Sequence, residues 1–138
     1  MNYWIIVENY HNRLQDANHN FEYLGVDLRK FERKKFNVND VLITYITKIM
    51  KFSDMRKVIN NEIINLPETF KYDLEIDKCI KTKLIRNLNE KYWINSRPIL
   101  NTLEAFKEKK MNLVLLNAPV RIPQEDYDII NKYFKNKV

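Results

Sequence analysis

The stretch Phe36-Asn37-Val38-Asn39-Asp40-Val41-Leu42-Ile43-Thr44-Tyr45-Ile46-Thr47-Lys48 sets the architecture of the chain. Its first half is short and polar, the composition of a turn, and asparagine at position 39 tolerates left-handed backbone. From Val41 to Lys48 it is rich in β-branched and aromatic residues over a strand's length. Alternation at its end puts Tyr45 and Thr47 on one face. Lys51 to Ile59 fits a strand paired with it.

Upstream, Tyr3-Trp4-Ile5-Ile6-Val7 has no helical spacing and reads as a buried, central strand. Glu8 to His19 is polar, with Tyr10, Leu14 and Ala17 three or four apart, which predicts a short surface helix ending at Asn18 to Asn20. Phe21-Glu22-Tyr23-Leu24-Gly25-Val26 carries the only glycine, required where the backbone takes a positive φ or where something packs closely against it. Leu28, Phe31 and Lys35 keep a helical spacing through a basic segment.

Downstream, Pro67 breaks the chain, and Tyr72-Asp73-Leu74-Glu75-Ile76-Asp77 alternates at period two. That alternation predicts a half-buried antiparallel strand whose wet face is Asp73, Glu75 and Asp77. Cys79 lies in a strand-like stretch and reads as a small buried apolar residue. Pro98 opens a helix with Ile99, Leu100, Leu103 and Phe106 as its apolar stripe. Met111 to Asn117 reads as a further strand ending near Pro119, and Pro123 precedes a last helix facing the core with Tyr127, Ile130 and Phe134. The sum is an α+β fold of five to six strands with short helices, built on a curved antiparallel or mixed sheet. One domain with one core is expected over residues 1–138.

Composition narrows the function. With a single glycine the chain cannot build a phosphate-cradling loop or a dinucleotide fingerprint. A single cysteine excludes an internal disulfide or a multi-cysteine zinc site and fits a reducing, cytoplasmic setting. His11 and His19 stand eight residues apart without a ligand partner at metal spacing, so no metal and no cofactor is expected. Ser53 and Ser96 lack the context of a nucleophile, and no catalytic residue is assigned. No apolar run approaches the roughly 18 to 20 residues of a membrane span. Lys and Arg number 24 against 18 Asp and Glu, a net charge of +6 that favours polyanions. Aromatic rings can stack on a flat base, and Trp4, Tyr23, Tyr45, Phe52, Tyr72, Tyr92 and Trp93 lie in or beside expected strands. Tyr45 and Tyr72 carry hydroxyls suited to a cleft.

Tyr3-Trp4-Ile5-Ile6, Leu24-Gly25-Val26 and Phe36 to Tyr45, in that order, resemble the EVE domain of the PUA-like superfamily, which is related to the YTH readers of methylated adenine in RNA. Phe70 to Ile76, Pro98 to Phe106 and Arg121 to Ile130 are similar to the later parts of that family. The resemblance implies a PUA-like mixed β-barrel flanked by short helices, with a pocket for a modified base flipped out of a strand. It also implies an aromatic beside the Gly-Val pair, for which Tyr23 is the candidate, with Leu24 where relatives carry tryptophan. A tryptophan found in relatives near Lys109-Lys110-Met111-Asn112 has no counterpart. Asn39-Asp40 stands where relatives have Gly-Asp.

The reading is a non-catalytic nucleic-acid-binding domain, monomeric, that holds a modified nucleobase. Its expected ligand contacts are Trp4, Tyr23, Leu24, Gly25, Val26, Tyr45 and Thr47. Arg29, Lys48 and Arg121 are expected on the nucleic-acid backbone. A nucleoside-like small molecule bound or hydrolysed in the same pocket is the alternative, and RNA and DNA stay open.

Overall fold

The computed structural model describes residues 1–73 and 75–137, and its frame is a mixed sheet of seven strands. In chain order these are β1 (Tyr3–Glu8), β2 (Tyr23–Gly25), β3 (Val41–Ile46), β4 (Lys51–Asn65), β5 (Lys78–Asn87), β6 (Ile94–Asn95) and β7 (Val120–Ile122). Helices α1 (Tyr10–Asn18), α2 (Leu28–Phe31), α3 (Arg97–Leu100) and α4 (Met111–Leu116) lie in the connections, and α5 (Gln124–Lys135) follows β7. The strands run in the order β2-β5-β4-β3-β1-β7, with β6 paired to the start of β4. β1 and β3 are parallel and the other pairs antiparallel.

The α+β class stands, and β1 is interior to the sheet as expected. The strand count is higher than five or six because β2, β6 and β7 have only two or three residues each, too few to show a period. β2 and β7 end the path, and no pairing joins them among the described residues, so the sheet is open rather than a closed barrel. Register shifts bend β4 against β5 at Met55/Arg56, Val58/Asn60 and Asn60/Ile64, and against β3 at Thr44/Tyr45.

Each face of the central strands carries its own buried apolar cluster, which replaces the single core by two. Register partners Ile5, Ile43 and Met55 lie on one face and join Tyr45, Phe52, Leu100, Leu103, Ile130 and Phe134 in the larger cluster. Trp4, Ile6, Leu42 and Val58 belong to the other, under Leu24, Val26, Phe31 and Phe36. Asp40 ties the turn before β3 to β1. It accepts from Asn2 N at 2.7 Å, from Asn37 N at 2.8 Å and from Trp4 Nε1 at 2.9 Å. Asn39 sits at φ 77°, the left-handed position its residue type tolerates.

Two expected strands take other forms. Met111–Leu116 is helical, since an unbroken apolar run carries no period to separate strand from helix. The segment around Tyr72–Asp77 is not a strand among its described residues, and Leu74 lies outside them. Both edges of β5 are already taken by β4 and β2, so no sheet position is left for it there. Side chains of α1 hold this segment instead: Lys71 N donates to Gln15 Oε1 at 3.0 Å and Asp73 N to Asn12 Oδ1 at 2.9 Å. His19 stacks on Phe70 with ring centroids 3.8 Å apart. The Pro98 stripe is buried as expected, split between α3 and a 3-10 turn at Glu104–Phe106.

Candidate functional site

A cavity of about 790 Å³ opens where the end of β1, the Leu24–Phe31 segment and the Tyr72–Asp77 segment converge. Its floor is apolar, with Ile6, Val26, Phe31 and Phe36, and α4 contributes Leu115 and Leu116 to one wall. Glu8, Asn9, Asn12, Thr47 and Tyr72 supply polar groups. The local sequence explains this placement. Asn9 caps α1 by accepting from Asn12 N at 2.7 Å, and Asp27 caps α2 by accepting from Arg29 N at 3.0 Å, so both helices start at the cavity edge.

Gly25 does not need a positive φ. It is glycine because Tyr72 lies on it: an added Cβ would stand 2.2 Å from Tyr72 Cε2 and 2.9 Å from Ile76 Cγ2. Gly25 N donates to the Tyr72 hydroxyl at 3.3 Å, and that hydroxyl donates to Asp16 Oδ1. Burial, with the negative charges of Glu8 and Asp16, pushes the Tyr72 phenol far above its ordinary range. Tyr72 is therefore held as a neutral donor in the wall.

Behind the wall lies a buried cluster of charge. Arg56, fully buried, donates from Nε to Asp54 Oδ1 at 2.8 Å, from Nη1 to Asp16 Oδ2 at 2.7 Å and from Nη2 to Glu8 Oε1 at 2.8 Å. Arg13 donates from Nε to Asp54 Oδ2 at 2.8 Å and from Nη2 to Asn87 Oδ1 at 2.8 Å, and its guanidinium lies 4.6 Å over the Phe21 ring. Thr44 and Ser53 hydroxyls donate to Asp54 as well. Burial alone would lift the Asp54 carboxyl, but Arg56, Arg13 and these donors outweigh it and hold it below the usual range. Glu8 goes the other way: burial and then Asp16 raise it well above the usual range against the pull of Arg56.

Of the residues expected from sequence, Leu24, Gly25, Val26, Thr47 and Arg29 line this cavity together. Trp4 and Arg121 line a second hollow of about 820 Å³ on the other side of α4, beside Lys34, Lys109 and Lys110. Tyr45 is buried in the cluster on the opposite sheet face, edge-on to Phe52 at 6.0 Å. It parts from Thr47 because β3 ends at Ile46 and Thr47 lies in the turn. Tyr23 pairs with Lys81 and meets Phe70 edge-on at 6.0 Å, and it does not line the cavity. Lys48 is exposed in the turn after β3 at φ 69°.

Sequence reasoning did not find Glu8, Asn12, Arg13, Asp16 or Arg56. α1 was expected on the surface, yet Asn12, Arg13 and Asp16 are buried along it. Their partners lie 40 to 74 residues away along the chain, beyond the reach of any local period. Asn12, Arg13 and Asp16 do share one helical face, the one signal present. Among the described residues no three His, Cys, Asp or Glu side chains are grouped to hold a metal ion, and no helix is long and apolar enough to cross a membrane. Cys79 is buried, and burial pushes its thiol up to about 11.

No protein-family model matches the chain, and no curated protein does. Solved structures do resemble it in fold. The YTH domain of a Zygosaccharomyces rouxii protein in complex with N6-methyladenosine RNA superposes with TM-score 0.67 at 14% identity, covering 96% of this chain and 86% of that one. The Pho92 YTH domain in complex with N6-methyladenosine gives TM-score 0.67 at 16% identity, over 97% and 83%. A hypothetical protein from Leishmania major gives TM-score 0.66 at 12% identity, over 99% and 96%. At these identities the likeness is one of fold.

Proposed function

We propose that the chain is a non-catalytic nucleic-acid-binding domain of EVE type that holds a modified nucleobase in the cavity beside Gly25. The observation that carries this is a cavity of about 790 Å³, with an apolar floor and a rim of amide, hydroxyl and carboxyl groups, in a fold shared with YTH domains solved with N6-methyladenosine. Leu24, Val26 and Phe31 give apolar contact to the ring, while Asn12 and Thr47 offer hydrogen bonds to its edge. Trp4, held by Asp40, is part of the supporting core.

The second hollow, with Lys34, Lys109, Lys110 and Arg121, receives the phosphates of the strand from which the base is turned out. Helix α4 stands between the two as a shared wall. Arg29, at the cavity, and Lys48, exposed in the turn next to Thr47, serve further phosphates. A single domain over residues 1–138, monomeric and cytoplasmic, completes the reading. Fluorescence polarisation with single-stranded RNA and DNA oligonucleotides, unmodified or bearing one modified base, tests it. Tighter binding of a modified strand, weakening steeply with salt, supports the reading. Salt-independent binding of free nucleoside with no affinity for any strand contradicts it.

A further inference from the structure

The buried charges behind the cavity do not balance. Glu8, Asp16 and Asp54 bring three carboxylates against the two guanidiniums of Arg13 and Arg56. Asp54 accepts from Arg56, Arg13, Thr44 and Ser53, and Asp16 from Arg56 and Tyr72. The Glu8 carboxyl accepts from Arg56 Nη2 at 2.8 Å and faces the Asp16 carboxyl within hydrogen-bonding reach. The surplus negative charge therefore rests on the facing pair Glu8 and Asp16, of which Glu8, 9% exposed, is the one that lines the cavity.

The rest of the lining has the same sign. On a chain of net charge +6, the cavity shows Glu8, Asp27, Glu75 and Asp77 against only Arg29 and Lys30, and Arg29 stands 3.6 Å from Asp27. An anionic or acceptor-rich group is disfavoured there. A flat cation is favoured, because it supplies the missing positive charge at a desolvated carboxylate.

We propose that the cavity prefers a positively charged nucleobase, one methylated on a ring nitrogen, and that Glu8 is its specificity-determining residue. This rests on the base-holding function proposed above. In the free protein a proton held between the hydrogen-bonded carboxyls of Glu8 and Asp16 neutralises the surplus, with Asp54 from β4 and Tyr72 facing it and Arg56 donating to it. The cationic base takes the place of that proton. Binding then releases a proton, and affinity for the cation rises with pH as Glu8 ionises.

Calorimetry with 1-methyladenosine, cationic near neutral pH, and its neutral isomer N6-methyladenosine tests the proposal. The wild-type protein binds the cation about tenfold or more tightly than its isomer, a gap on the order of one well-placed charge interaction. Its binding enthalpy also varies with the ionisation enthalpy of the buffer. Glu8→Gln keeps an acceptor for Arg56 but loses both the preference and the buffer dependence. Equal affinity for the two isomers in wild type, or an undiminished preference in Glu8→Gln, overturns the proposal and leaves base binding in place. If neither isomer nor any oligonucleotide binds the folded protein, base binding itself fails and this proposal with it. Should Glu8→Gln not fold, the isomer preference and buffer dependence of wild type decide.

Discussion

Arg56 Nη2 lies 2.8 Å from Glu8 Oε1 with the arginine side chain fully buried and the glutamate side chain 8% exposed. One guanidinium thereby joins β1, α1 and its own strand β4 through three carboxylates. Replacing it with an apolar residue leaves all three facing one another without their shared cation. Arg56→Met is expected to lose about 3 to 5 kcal/mol of stability, read as a lowered urea midpoint.

Stability should also depend on pH through two groups shifted in opposite senses. Asp54 is held below its ordinary value, so its contribution is present above the unfolded carboxylate range and is lost as pH falls through its folded value. Glu8 is held above its ordinary value, so its contribution is complete below that range and is lost as pH rises through its folded value. Urea midpoints measured from acid to alkaline pH should pass through a maximum. In Glu8→Gln the decline on the alkaline side should shrink.

Tyr45 separates the two faces of the sheet experimentally. It is 6% exposed and packs against Phe52 on the face away from the cavity, and burial raises its phenol. Tyr45→Ala is expected to cost about 3 to 5 kcal/mol of stability, as large aromatic truncations in cores do. Affinity for a bound base per folded molecule should stay unchanged, which titration below the unfolding temperature measures.

The fold was legible where one period ran cleanly. Val41 to Ile46 and Tyr3 to Val7 carry runs of β-formers, and the α5 stripe of Ile130 and Phe134 repeats at helical spacing. It was misread where a period was absent or incidental. Met111–Leu116 is apolar throughout, and the alternation at Tyr72–Asp77 arises in a segment held by side chains of α1. Half of the cavity was legible from one residue, because a lone glycine implies a close approach and Tyr72 makes it. The other half was hidden, because Glu8, Arg13, Asp16 and Arg56 look like surface charges until strand pairing brings them together.

Gly25→Ala tests that close approach. The new methyl must displace the Tyr72 ring, breaking the bonds from Gly25 N and to Asp16. A loss of about 1 to 3 kcal/mol in stability is expected from overpacking, together with weakened base binding. The paired change Gly25→Ala with Tyr72→Ala should recover part of the stability, because the clash disappears, and a double-mutant cycle measures that coupling.

Gly25 also offers the most direct view of the cavity. As the only glycine it gives a single amide resonance in protein labelled with nitrogen-15 glycine. Titrating this sample with a modified nucleoside, or with an oligonucleotide that carries one, reports on the wall of the proposed base site. A base seated beside Gly25 gives a saturable shift of that resonance, with the unmodified strand producing a smaller one at equal concentration. Binding detected by calorimetry while the Gly25 resonance stays fixed would contradict it.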